Sequence, residues 1–175
     1  IKKQFLENKE IKSLKKLIIV RHAKSDWSNN TSDLDRPISV RGINDAKIIS
    51  KIFDSQNLRP EIIFTSIAKR TIETSKIFIE KSKFLFNLDC LKVDELYDFQ
   101  GNSVKSFIKN LPDKLSTVLI FTHNNSCNYL VNDFANRFNL HVPTCGMLIF
   151  EFNVSLWTEI DKSNSFSFFF PKQYR

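Results

Sequence analysis

Three apolar runs that stop abruptly at polar residues organise this chain. "KLIIV" (16–20), "EIIF" (61–64) and "TVLIF" (117–121) are nearly continuous rather than alternating. Runs of this kind predict strands buried on both faces, as in a parallel sheet covered by helices. A weaker run over 91–93, "MLIFEF" (147–152) and "SFSFFF" (165–170) predict three more strands, the last alternating Ser and Phe at its start.

Helical spacing fills the intervals. Ser39 is placed to cap a helix carrying Ile43, Ala46, Ile49, Ile52 and Phe53 on one face, closed by Asn57 and Pro60. Ser66 is expected to cap a second helix running through Ile72 and Phe78. A short third helix begins near Asn102 after "ELYDF". The segment Thr122-His123-Asn124-Asn125-Ser126 turns the third run into a helix bearing Tyr129, Leu130, Phe134 and Phe138, with Ser126 as its expected cap. Strands alternating with helices predict a three-layer α/β/α sandwich around a mostly parallel sheet. One domain is expected over 15–175, preceded by an N-terminal arm, loose or briefly helical, over 1–14.

Bulk numbers narrow the classes. The 175 residues are enough for one domain with a proper core, and 17 Phe against 3 Gly point to a core of Phe and Ile. The net charge of +7 favours an anionic partner, but the basic residues are spread along the chain. They form no basic strip interleaved with aromatics, so nucleic acid is not the expected partner. Cys90, Cys127 and Cys145 lack CxxC spacing, which points to free thiols in a reducing, cytoplasmic setting. His22, His123 and His141 show no metal-ligand spacing, so neither a metal nor another cofactor is expected. No apolar run reaches the ~20 residues of a membrane span, and the basic start lacks the apolar stretch of a signal peptide.

Open α/β sheets bind ligands beyond the carboxyl ends of their strands. Arg21 and His22 follow the first run, Arg70 lies in the first turn of the helix after the second, and His123 follows the third. Each alone reads as an ordinary surface or structural residue. Together they gather positive groups at one sheet edge. Lys69 and Arg70 at a helix N-terminus are locally unfavourable by ~0.3–1 kcal/mol each unless an anion is held there. Arginine forks match phosphate oxygens, so phosphate is the expected anion. A neutral His22 suits nucleophilic attack on phosphorus, while two arginines and a second, protonated histidine, His123, would hold the phosphoryl oxygens. His141 shares none of this context and is expected to be structural.

The motifs "RHAKSDW", "DRPISVRG", "SIAKRTIET" and "VLIFTHNNS", in that order, resemble the histidine phosphatase superfamily, whose fold is called phosphoglycerate mutase-like. Within it the wording is similar to the small SixA-type phosphohistidine phosphatases, from about Lys16 to the C-terminal end. The resemblance implies that His22 becomes phosphorylated and that Arg21, Arg70 and His123 form the phosphate pocket. Larger relatives use a carboxylate as proton donor, for which Glu95 is the nearest candidate and Asp98 the reserve. Ser28 stands where many relatives have Asn, and Ala23 and Lys24 depart from their Gly and acidic residue, so a mutase-type pocket is not expected. There is no room for large inserted caps, so an open site is expected, rimmed by Lys24, Arg36, Arg41 and Lys69.

The expectation is thus a metal-independent phosphatase acting on phosphohistidine in a signalling or phosphotransfer protein, with a monomer favoured. The alternatives are a small-molecule phosphomonoesterase of the same superfamily and a non-catalytic module that binds phosphate or a phosphoprotein.

Overall fold

The computed structural model describes residues 14–175; apart from Leu14, the expected N-terminal arm lies outside them. The elements run β1 (Lys15–Arg21), α1 (Val40–Ser55), β2 (Ile62–Ser66), α2 (Lys69–Lys81), β3 (Cys90–Val93), α3 (Asn102–Lys109), β4 (Thr117–Thr122), α4 (Asn124–Ala135), β5 (Met147–Phe152) and β6 (Ser165–Phe169). Six strands form one sheet in the order β3-β2-β4-β1-β5-β6. β1 to β4 are mutually parallel, whereas β5 pairs antiparallel with β1 and β6 antiparallel with β5. The fold is therefore α/β with a mixed sheet in which the parallel part holds the site.

Alternate side chains of the same strands feed two cores. Leu17 and Ile19 of β1 join Phe64, Val118 and Ile120 in one core, with Val104 and Ile108 of α3 and Leu130 and Phe134 of α4. Ile18 and Val20 join Ile63, Leu119 and Phe121 in the other, with Ala46, Ile49 and Phe53 of α1 and Phe78 of α2. Every residue from Leu17 to Val20 is withdrawn from water, which is why this run reads as continuous rather than alternating.

This layering creates the crevice. β1 and β4 are neighbours, but the helix after β1 packs on one face and the helix after β4 on the other. Between such diverging connections a parallel sheet opens at its carboxyl edge. Register makes the strand ends level, with Arg21 opposite Thr122 and Thr65 opposite Phe121.

Gly42 explains how closely α1 seats against the segment that follows β1. A Cβ there would come within 2.4 Å of the Lys24 carbonyl oxygen and 3.2 Å of the Ile38 Cβ. Ser39 caps α1 as expected, its hydroxyl accepting the Gly42 N–H at 3.1 Å.

Candidate active site

A cleft of about 350 Å³ opens at the carboxyl ends of β1, β2 and β4. Arg21, His22, Arg70 and His123 all line it, with Lys24 and Arg36 at its rim. The four groups read from the strand ends are thus brought together, and the His22 and His123 rings stand 5.4 Å apart between centroids.

Backbone bonds hold the end of β1 in place. His22 N–H donates to Thr122 O at 3.0 Å, and the carbonyls of Arg21 and His22 both receive the Cys145 N–H. Ala23 N–H donates to Thr74 Oγ1 at 3.0 Å, and that hydroxyl donates to Arg70 O at 2.6 Å, tying the segment to α2.

The partners of the two imidazoles define their tautomers. His22 Nδ1 lies 2.8 Å from Ala23 O, a pure acceptor, so Nδ1 carries the proton and Nε2 keeps its lone pair. His123 Nδ1 faces a donor, an Arg70 terminal nitrogen at 3.3 Å, so its proton sits on Nε2 and is given to Ser66 Oγ at 2.8 Å. Burial lowers His22 to about 3; the Ala23 carbonyl opposes this, and the charges of Arg70 and Arg21 reinforce it. Burial, then the charge of Arg70, likewise lowers His123 to about 3 despite the nearby Asp33. His123 is therefore neutral here, whereas the sequence reading has it protonated when it holds phosphoryl oxygens. Without a bound anion, a third cation beside two arginines is unfavourable.

Arg21 donates from a terminal nitrogen to Val142 O at 2.7 Å, and its buried Nε has no hydrogen-bond partner among the described residues. Burial lowers its pKa from the ordinary arginine value. Arg70 is far more engaged. One terminal nitrogen donates to the Asp33 carbonyl at 2.5 Å, and the other reaches Asp33 Oδ2 at 3.0 Å.

Two expected caps have other roles. α2 is capped at Ala68 without a side-chain bond, and the hydroxyl of Ser66 faces His123 instead. α4 is capped at His123, and Ser126 inside the helix donates to Asp98 O at 2.5 Å. In each case the serine meets a partner from a distant segment.

The other expected site residues stand outside the cleft lining. Glu95 is exposed on a short 3-10 turn over Asp94–Leu96. Asp98 accepts N–H groups from Gln100, Gly101, Ser103 and Val104, so both its oxygens serve the start of α3. Ser28 is exposed, its N–H bonded to Asp26 Oδ1. Arg41 approaches Asp45 at 3.8 Å, and Lys69 is exposed at the start of α2.

The sequence reading missed Asp33, Trp27, Phe99, Asn124, Asn125 and Thr144, all in the lining. Asn124 and Asn125 were within reach, since they follow His123 directly. Asp33 sits in an irregular polar loop whose path no periodicity reveals.

Residues 17–101 match the model of the histidine phosphatase superfamily, branch 1. Over that stretch, just under half of its length, the chain is similar to the histidine phosphatase superfamily. Among solved structures this chain is similar to the protein histidine phosphatase SixA complexed with tungstate, with a TM-score of 0.76 at 16% identity over 91% of this chain and 99% of that one. An uncharacterised chloroplastic protein of Arabidopsis thaliana is 24% identical over 83% of this chain and 70% of its own length. A 2,3-bisphosphoglycerate-dependent phosphoglycerate mutase of Bifidobacterium longum is 31% identical over 41% of this chain, which spans only 30% of that mutase. The chain thus shares its fold with SixA and a shorter stretch of sequence with the mutase.

Proposed function

We propose that this protein is a metal-independent phosphatase that removes the phosphoryl group from phosphohistidine displayed on another protein, through a phosphorylated His22. The observation that carries the reading is the pairing of a free His22 Nε2 lone pair with Arg21, Arg70 and His123 around one cleft.

His22 Nε2 attacks phosphorus, and a P–N bond to His22 forms as the bond to the leaving nitrogen breaks. The leaving imidazole keeps that electron pair and takes a proton from solvent, which later receives the one lost by the attacking water. Water then attacks the phosphorylated His22, orthophosphate departs and the imidazole lone pair is restored. Arg21 and Arg70 supply the positive charge that the phosphoryl oxygens need throughout. His123 gains a proton as the anion enters, because opposite charge raises a histidine pKa.

The leaving group follows from the lining. Its carboxylate, Asp33, would be raised by partial burial, but hydrogen bonds from Tyr97 and Arg70 and the charges of Arg70 and Arg36 bring it down to about 2. Such a group is no proton donor at neutral pH. Expelling an alkoxide benefits greatly from a general acid, whereas imidazole leaves a labile P–N bond with less help. The open rim of Lys24, Trp27, Arg36 and Phe99 suits a phosphate carried on a protein surface. The free cysteines, two of them buried, agree with the cytoplasmic setting that the proposal adopts; no helix among the described residues is long and apolar enough to cross a membrane.

The test is phosphate release from a phosphohistidine-bearing phosphotransfer domain, beside an aryl phosphate, with and without a chelator. Release should be faster on the protein, unaffected by chelation and reduced at least ~10³-fold in His22→Ala. Turnover of the aryl phosphate alone would replace this reading with a small-molecule esterase. Phosphate binding that survives His22→Ala, with no turnover in the parent, would leave a binding module.

A further inference from the structure

Asp33 already stands where an anion is wanted. Besides its two contacts with Arg70, its Oδ2 accepts the Tyr97 hydroxyl at 2.6 Å and its Oδ1 accepts Arg36 at 2.6 Å. The neighbouring Leu34 carbonyl takes the Lys69 N–H at the start of α2. Two guanidinium groups, a phenol and a helix N-terminus are therefore turned on one short stretch of loop. Cations at that helix start call for an anion, and Asp33 supplies one from within the chain.

The surroundings allow it to move. The Asp33 side chain is 43% exposed. The loop stems are pinned by the Ser25–Ile38 bridge and by the Asp26 N–H on Pro37 O, while the tip between them has no strand or helix to break. Arg36, held by Asp33, lies over the Trp27 ring at 3.5 Å, and Trp27 is 69% exposed at the cleft mouth.

Resting on the reading of this cleft as a phosphate pocket, we propose that Asp33 is a resident anion that competes with the phosphoryl group for Arg70. Its displacement loosens the Arg36–Trp27 pair, so the rim registers whether phosphate is bound. A carboxylate beside the bound group disfavours orthophosphate, which has no contacts outside the pocket to compensate, and so speeds product release. A protein-borne phosphoryl group is held by its surroundings as well and loses less. Asp33 acts through Arg70 and Arg36 and is a positioning residue.

Asp33→Asn keeps the shape and removes the charge, while Tyr97→Phe keeps the charge and removes one bond that seats it. Titration with inorganic phosphate should show binding about tenfold or more tighter in Asp33→Asn and about two- to threefold tighter in Tyr97→Phe. Turnover of Asp33→Asn should show kcat and KM falling together, as product leaves more slowly. In the parent, inorganic phosphate should change the Trp27 fluorescence, a signal that Trp27→Phe removes and that buried Trp157 does not supply. Phosphate binding unchanged or weaker in both variants would overturn the competition and leave Asp33 as a holder of Arg70. Tighter binding with silent Trp27 would overturn the coupling to the rim. Absence of phosphate binding in the parent and in both variants would remove the phosphate pocket itself, and the gate with it. Should Asp33→Asn fail to fold, Tyr97→Phe decides alone.

Discussion

Lys15 and Arg21 stand at opposite ends of β1, and their surroundings differ in kind. Lys15 is 1% exposed, and its ammonium is met by Asp113 O at 2.5 Å, Leu115 O at 2.9 Å and the Trp157 ring at 5.5 Å. Trp157 is bonded to the same segment, its indole N–H to Leu115 O and its main-chain N–H to Asp113 Oδ1. That end is a closed account of donors and acceptors. At the other end Arg21 has one carbonyl partner and a buried Nε with none, beside two imidazoles and a second guanidinium. Burying a charge is costly unless its donors are met. A cation whose donors are met inside the chain serves the fold; one left with donors to spare, among other positive groups, is what the proposed phosphate pocket needs.

The largest effect should come from exchanging the two ends. Arg21→Ala should cut phosphate release about 10²–10³-fold while leaving the denaturation midpoint nearly unmoved, because the lost donor had little protein bonding. Lys15→Met should do the reverse, keeping turnover and lowering stability by about 1–3 kcal/mol, as Asp113 O loses the ammonium and Leu115 O is left with the Trp157 indole alone. Denaturant melts beside phosphate-release rates for both variants measure this. A stable, active Arg21→Ala would break the contrast.

The cleft end should also show in the pH dependence of stability. His22 and His123 lie at about 3 in the fold against 6.5 ordinarily, chiefly through burial. Below pH 6.5 the unfolded chain therefore binds protons that the folded chain refuses, so stability is full above 6.5 and falls as pH drops toward 3. Between about pH 7.5 and about pH 5 the loss should be roughly 1–4 kcal/mol, read from urea midpoints. His123→Asn should flatten that slope. A slope unchanged in the variant would mean that other groups set it.

Smaller effects sharpen the boundary of the cleft. Gly42→Ala forces the Lys24 segment away from α1 and should cost about 1–3 kcal/mol, with weaker phosphate binding because His22 lies two residues from Lys24. Glu95→Gln should change turnover of the protein substrate by less than about twofold, since an exposed carboxylate outside the lining has no leaving group to serve. A large loss there would restore Glu95 as a proton donor and favour phosphoesters as substrates.

Much of this molecule was written locally. The runs at Leu17–Val20 and Val118–Phe121 announced strands covered on both faces because every residue in them meets a core. Ser39 announced α1 because a cap bonds within three residues of itself. Arg21, His22, Arg70 and His123 could be assigned to one edge because parallel strands must end at the same side of their sheet. Pairings across long separations were not written locally. Ser66 resembles any helix cap, yet its partner lies 57 residues away, a choice made by the register of β2 against β4. Asp98 and Glu95 are near neighbours in one acidic segment, and chain direction after β3 gave the first to the start of α3 and the second to solvent. Asp33 reaches Arg70 across 37 residues through a loop with no periodicity to read. By itself the sequence determined which elements form and which edge holds the charge, since both depend on contacts a few residues apart and on strand direction. Only the tertiary structure decided which donors are met and which stay open, because that depends on where distant segments finally lie.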